Sequence, residues 1–219
     1  MREYIESFVV AIVIALILRT FVVAAYKIPT GSMIPTLKIG DCLFAWKLPY
    51  EIHLFGSHTP NRGDVVVFKY PEDPSISFVK RVIGTPGDKV EIRQKRVFIN
   101  DKILKYESTM ASDPELADVP MKELFIVQKE YIGSAAHYVM FRRGEDDDSF
   151  GPIVVPDGKL FVLGDNRDTS DDSRSWGLVP LENLEGRSIL IWCSLDWERK
   201  GSRTGLPRLR TERLFSVIH

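Results

Sequence analysis

Little in this sequence offers metal or redox chemistry. Its 219 residues contain two cysteines, Cys42 and Cys193, and four histidines, His53, His58, His137 and His219. Two cysteines so far apart make no disulfide framework, and neither sits in a Cys-x-x-Cys pair. Both neighbour apolar residues, which favours buried free thiols; a bridge between them stays open if the domain meets an oxidising compartment. No histidine has ligand spacing to a partner Cys or Glu, so no metal site is expected and no cofactor is called for. Charge of one sign is also missing: 29 Lys and Arg against 30 Asp and Glu leave a net charge of −1. That balance points to no nucleic-acid partner. Basic residues gather only late, at Arg199, Lys200, Arg203, Arg208, Arg210 and Arg213, a stretch that reads as a solvated face ahead of a lipid-headgroup contact. The acidic run Glu145-Asp146-Asp147-Asp148 reads as an exposed loop ahead of a calcium site.

Long apolar runs are scarce too. The single one, Phe8–Tyr26, is apolar except for Arg19 and Thr20. A bilayer-spanning helix needs about 20 residues, and Arg19 lies near the end, where its charge can snorkel to the headgroups. Arg2 is offset by Glu3 and Glu6, so the segment lacks the clear positive n-region of a cleaved secretory signal. It also lacks the polar stripe of a half-buried core helix. A retained transmembrane anchor within residues 1–26 is therefore expected, with residues 27–219 as the folded body. Lys and Arg counts near the run are too low to orient it.

Amphipathic helices are nearly absent after residue 27; a short one is expected around Leu181–Leu184. Instead, β-branched runs alternate with Gly, Pro and Asp punctuation. Cys42–Trp46, Asp64–Tyr70, Phe78–Ile83, Lys89–Ile92, Arg96–Ile99, Tyr138–Phe141, Lys159–Leu163 and Ser188–Cys193 all read as strands. Asn100-Asp101 and Gly84–Asp88 read as turns. The fold class is mainly β, with antiparallel sheets. The segment Lys105–Ala136 reads as less regular.

Three segments carry candidate chemistry. In Pro29-Thr30-Gly31-Ser32-Met33-Ile34-Pro35, Gly31 frees the backbone beside Ser32 and the two prolines stiffen its flanks. That suits a presented nucleophile, although an ordinary turn leaving a membrane would look similar. Serine needs an activating base. His137 is the one histidine inside an expected strand, with no orienting carboxylate nearby in sequence. Lysine can serve if burial leaves it neutral. Lys80 shares a strand face with Phe78 and Val82, though locally an edge lysine reaching water fits as well. The third segment, Gly164–Gly177, packs charges and hydroxyls into a loop; Asp172 and Arg174 form a candidate structural ion pair within it.

Taken in order, these stretches resemble bacterial type I signal peptidases, the Ser/Lys-dyad leader peptidases. The resemblance rests on Pro29-Thr30-Gly31-Ser32-Met33-x-Pro35-Thr36-Leu37, Gly40-Asp41 and Arg62–Phe68. It continues through Val79-Lys80-Arg81-Val82-Ile83-Gly84, Pro86-Gly87-Asp88 and Gly164-Asp165-Asn166-Arg167-Asp168. Thr204-Gly205-Leu206 and Ile218-His219 look like members from Gram-negative bacteria. The match spans most of residues 26–219 and leaves out a variable β/loop subdomain at about 100–155.

The resemblance implies a membrane-bound serine endopeptidase, a monomer held by a single pass in the bacterial cytoplasmic (inner) membrane, its catalytic domain on the outer face. Its partners are then signal-peptide-bearing preproteins and membrane lipid. It implies Ser32 as nucleophile and Lys80 as general base. The oxyanion hole would be the Ser32 backbone N–H and the Thr30 hydroxyl, where many relatives carry Ser. Ser170 would orient the lysine. Ile28, Met33, Leu37, Phe78 and Val79 would line shallow pockets that select small residues at the first and third positions before the cut, sites of Ala-x-Ala type. Ser32 follows Tyr26 by a span that reaches only about 20 Å when extended, so it would work at the membrane surface. Two other readings remain: a self-cleaving Ser/Lys repressor-type protein, which would need a DNA-binding domain in place of the anchor, and a non-enzymatic membrane-tethered β module.

Overall fold

Valine-rich runs form the centre of the molecule. The computed structural model describes residues 4, 6–10, 12, 22–47, 59–109, 113, 116, 119, 122–133, 135–144, 149–200 and 206–219. Its strands are β1 (Val23–Lys27), β2 (Asp41–Trp46), β3 (Val65–Lys69), β4 (Ser77–Gly84), β5 (Lys89–Arg93), β6 (Arg96–Ile99), β7 (Lys102–Ile103) and β8 (Lys105–Ser108). They continue with β9 (Phe125–Ile132), β10 (Ala135–Arg142), β11 (Phe150–Val154), β12 (Lys159–Leu163), β13 (Val179–Pro180), β14 (Leu184–Lys200), β15 (Pro207–Leu209) and β16 (Ser216–Val217).

Nine strands make the main sheet, in the order β1-β2-β14-β3-β4-β12-β13, with β15 and β16 on β14. A four-stranded sheet, β11-β5-β6-β7, and a three-stranded one, β10-β9-β8, complete the body. The strand pairs are antiparallel.

β3 shows why its sequence is a continuous apolar run instead of an alternating one. Val65 and Val67 enter a core with Ile28, Met33, Leu37, Leu43, Ala45 and Ile191. Val66 and Phe68 enter a second core with Val82, Leu160, Val162, Val179 and Leu184. Both faces of the strand are covered, so both need apolar side chains. A third core joins the four-stranded sheet to the main one through Ile83, Phe161 and Leu163 against Val90, Ile92, Val97 and Ile99. β14 bridges β3 and β2, and its register shifts at Leu184/Gly186, Ser188/Leu190 and Ile191/Cys193 let it bend to reach both.

Two expectations are revised. The apolar run does not stay helical to Tyr26: Val23–Lys27 is β1, paired with β2 from Val23↔Trp46 to Lys27↔Cys42. Valine and alanine fit lipid or a sheet equally well, and the available edge of β2 decides the matter locally. The folded body thus begins before residue 27. The Lys105–Ala136 segment is also more regular than its sequence suggests, since β8 and β9 pair there. Gln128, Lys129 and Glu130 hid β9 by breaking its apolar pattern. The short helix expected around Leu181–Leu184 is a 3-10 helix over Leu181–Asn183.

No helix among the described residues is long and apolar enough to cross a membrane. The centre of the apolar run at 13–21, His53, His58, the acidic run 145–148, Arg203 and Thr204-Gly205 lie outside the described residues.

The end of the Ser32 loop rests on Gly40. Its φ is +90°, and a Cβ there would lie 1.9 Å from the Leu195 carbonyl oxygen. Gly87 has a similar φ of +87° but open surroundings. Gly40→Ala should therefore lower the unfolding free energy by about 3 kcal/mol or more, against about 1–2 kcal/mol for Gly87→Ala. Urea unfolding followed by tryptophan fluorescence checks this; equal losses would mean the Leu195 contact is relieved at little cost.

Candidate active site

The loop Ile28–Gly40 is tied at its base and anchored by its apolar residues. Ile28 N donates to Asp41 O at 2.8 Å and Gly40 N to Ile28 O at 2.9 Å. Inside it, Leu37 N donates to Met33 O at 2.8 Å. Ile28, Met33 and Leu37 are buried in the β3 core, and Ile34 packs on Met140, Leu116 and Val119. With those residues pointing inward, Ser32 is left half-buried and Thr30 exposed.

Lys80 comes to Ser32 from β4, where it pairs with Val66 of β3. Its Nζ lies 2.7 Å from Ser32 Oγ and 5.6 Å from the centroid of the Phe78 ring. Only 3 % of Lys80 is exposed. Burial pulls its pKa down to about 8, against the opposing pull of Asp172, Asp171 and Asp165; Arg174 adds to the lowering. An ammonium in this position has lost most of its water, and no carboxylate among the described residues lies within ion-pair distance to replace it.

The segment after β12 fixes the backbone of the serine. Asn166 N donates to Ser32 O at 3.0 Å, and Asn166 Nδ2 donates to Gly31 O at 3.1 Å. Gly164 permits this approach: a Cβ would sit 2.5 Å from Ser32 O and 2.2 Å from Ser170 Oγ. The Ser32 N–H has no hydrogen-bond acceptor among the described residues.

Ion pairs hold this frame. Asp172 accepts from Arg174 Nε at 2.8 Å, from Arg174 Nη2 at 2.9 Å and from Gly164 N at 3.0 Å. Arg81 points to the opposite side of β4 from Lys80. Its Nε and Nη2 donate to Asp165 at 2.9 and 2.8 Å, and its Nη1 donates to the carbonyls of Gly63 and His219. Thr36 Oγ1 donates to Asp165 at 2.5 Å, linking the Ser32 loop to this pair. Burial alone would raise the Asp165 pKa, but Arg81 overrides it and holds the carboxyl low. Glu130 of β9 behaves alike: burial opposes its charge, and Arg167 and His137 keep it ionised.

The structure brings Ser32 and Lys80 together, and Asp172 with Arg174. Ser170 Oγ is buried beside Gly164 with no hydrogen-bond partner, Lys80 included. Ile28, Met33, Leu37 and Val79 share one core; Phe78, one residue along the strand, faces the other way and packs with Tyr70, Phe68 and Trp176. His137 does not meet Ser32: its Nε2 lies 3.1 Å from Glu130 and 3.8 Å from Asp165. Burial first, then Arg81, lowers its pKa. The Asn166 contacts, the Arg81–Asp165–Thr36 link and the Glu130–Arg167 pair join segments far apart in sequence. The polar density of Gly164–Asp168 signalled Asp165, Asn166 and Arg167, and strand alternation signalled Arg81, but not their partners.

The family described as signal peptidase, peptidase S26, matches residues 1–193. A signal peptidase I of Pseudomonas fluorescens is 38 % identical over 213 residues, covering 88 % of this chain and 72 % of the relative. Those of Pseudomonas aeruginosa and Aquifex aeolicus are 37 % and 34 % identical, covering 88 % and 89 % of this chain and 72 % and 85 % of the relatives. A crystal structure of a signal peptidase I from Enterococcus faecalis is 30 % identical and covers 59 % of this chain and 97 % of its own, at a TM-score of 0.39, too low to bear on the architecture. The chain belongs to the signal peptidase family, peptidase S26, and is a hydrolase of the signal peptidase I kind.

Proposed function

We propose that this chain removes signal peptides through a Ser32/Lys80 dyad. The observation that carries the reading is the 2.7 Å approach of a buried lysine nitrogen to a serine oxygen. Neutral Lys80 takes the Ser32 proton as Oγ attacks the scissile carbonyl. The resulting ammonium protonates the leaving amine, and the neutral lysine then activates water to release the acyl-enzyme. The oxyanion is received by the Ser32 N–H and the Thr30 hydroxyl. Ser170, whose buried hydroxyl lacks a partner, is the residue assigned to orient Lys80 once substrate fills the site.

The preprotein binds as an extended strand beside Ser32. Ile28, Met33, Leu37 and Val79, which share one core beneath the Ser32 loop, and Phe78 beside Lys80 are the residues assigned to shallow pockets for small residues of Ala-x-Ala type. The apolar run up to β1 serves as a single transmembrane anchor from a short cytoplasmic stub, and the body lies on the outer face of the cytoplasmic membrane as a monomer. β1 takes up the last residues of the run, Val23–Tyr26, which keeps Ser32 near the lipid surface.

Ser32→Ala and Lys80→Ala should each abolish cleavage of a preprotein carrying an Ala-x-Ala site, with thermal melting close to that of the parent chain. Near-normal cleavage by Lys80→Ala together with loss in His137→Ala would overturn the lysine mechanism. Thr30→Ala should lower kcat by roughly 10²–10³ while Thr30→Ser stays close to the parent; steady-state kinetics on the same substrate decide it. Equal kcat for Thr30→Ala would remove that hydroxyl from the oxyanion site.

A further inference from the structure

Cys42 and Cys193 are far apart in sequence and have no role in the chemistry above. They are direct partners across β2 and β14, in register Cys193↔Cys42. Both are free and partly exposed. Paired residues on antiparallel strands have Cα atoms about 4.5–5.5 Å apart, inside the roughly 4.4–6.8 Å window of a disulfide. Cys193 lies near enough to Cys42 to help raise its pKa.

The surrounding contacts keep this register. Asp41 and Ser194, the next pair along, are joined by a 2.5 Å hydrogen bond from Ser194 Oγ to Asp41 Oδ1. Arg213 closes on the same carboxylate. On the other side the register shifts by one residue between Cys193 and Ile191, and Ile191 pairs with Leu43, both in the core. A ring stack between Phe44 and Trp192, at 5.6 Å, lies just beyond the thiols.

We infer that Cys42 and Cys193 form a site of reversible oxidation, closing a cross-strand disulfide when a small-molecule disulfide oxidant reaches them. One thiolate attacks the oxidant's disulfide, forming a mixed disulfide and releasing one thiol. The second cysteine thiolate attacks the protein sulfur of that bond and displaces the second thiol. Two electrons pass to the oxidant, and the two protons lost by the cysteines appear on its two thiol products. Burial and the neighbouring thiol push the Cys42 pKa up while Lys27 pulls it down, so the reaction quickens with rising pH. The bond would link β2 to β14 one residue after Asp41, where the nucleophile loop ends. It rests on strand register alone and does not depend on the dyad.

The test incubates the full chain, in detergent, with oxidised glutathione at pH 8, then alkylates, digests and maps it by mass spectrometry. The expected result is a Cys42–Cys193 linkage within one chain, two hydrogens lighter than the reduced protein and reversed by dithiothreitol. The oxidised form should melt several degrees higher, since closing so long a loop restricts the unfolded chain. A Cys42→Ser/Cys193→Ser double variant should show no such shift. Two thiols that remain alkylatable, separate glutathione adducts on each cysteine, or linkage between chains would overturn the inference.

Discussion

Lys80 is a cationic side chain placed where its cation is poorly tolerated. Its nitrogen has a serine oxygen and an aromatic ring as neighbours and almost no water. Moving its pKa from 10.5 to about 8 corresponds to on the order of 3 kcal/mol against the ammonium form. In occupancy, about one lysine in ten is then neutral at pH 7, against about one in three thousand for an ordinary side chain. The proposed role of Lys80 as a base beside Ser32 rests on that difference. The strain is sustained by β3 and β4, whose two-sided burial fixes the strand that carries Lys80.

The same constraint explains how the carboxylates nearby are handled. Asp172, Asp171 and Asp165 all favour the charged lysine, and an unpaired one at contact distance would cancel the effect of burial. Asp172 is occupied by Arg174 and the Gly164 N–H, and Asp165 by Arg81 and Thr36. Breaking such a buried pair typically costs about 3–5 kcal/mol, so these pairs are durable. They also do the positioning: Asn166, between Asp165 and Arg167, holds the Gly31 and Ser32 carbonyls. One short segment thus orients the nucleophile's backbone and keeps negative charge engaged elsewhere.

Much of this was legible in the sequence. Continuous valines at 65–67 and alternation around Lys80 gave the central strands and the face on which Lys80 lies. The Gly31-Ser32 stretch and the polar density at 164–168 marked the segments that converge. What stayed hidden depends on partners distant in sequence. Val23–Lys27 needed the edge of β2 to become a strand. Glu130 looked like a break in an apolar pattern because Arg167, its buried partner, lies 37 positions away. Arg81 could be placed opposite Lys80 by strand alternation, but Asp165 could not be assigned to it from one chain alone.

Burial should leave Lys80 substantially neutral near pH 8. A titration of the Lys80 side-chain nitrogen by NMR in lysine-labelled protein, assigned by comparison with Lys80→Ala, tests this directly. The expected midpoint is about 8, set apart from the exposed lysines. A midpoint at or above 10.5, the ordinary value for the group, would contradict it and require another base for Ser32.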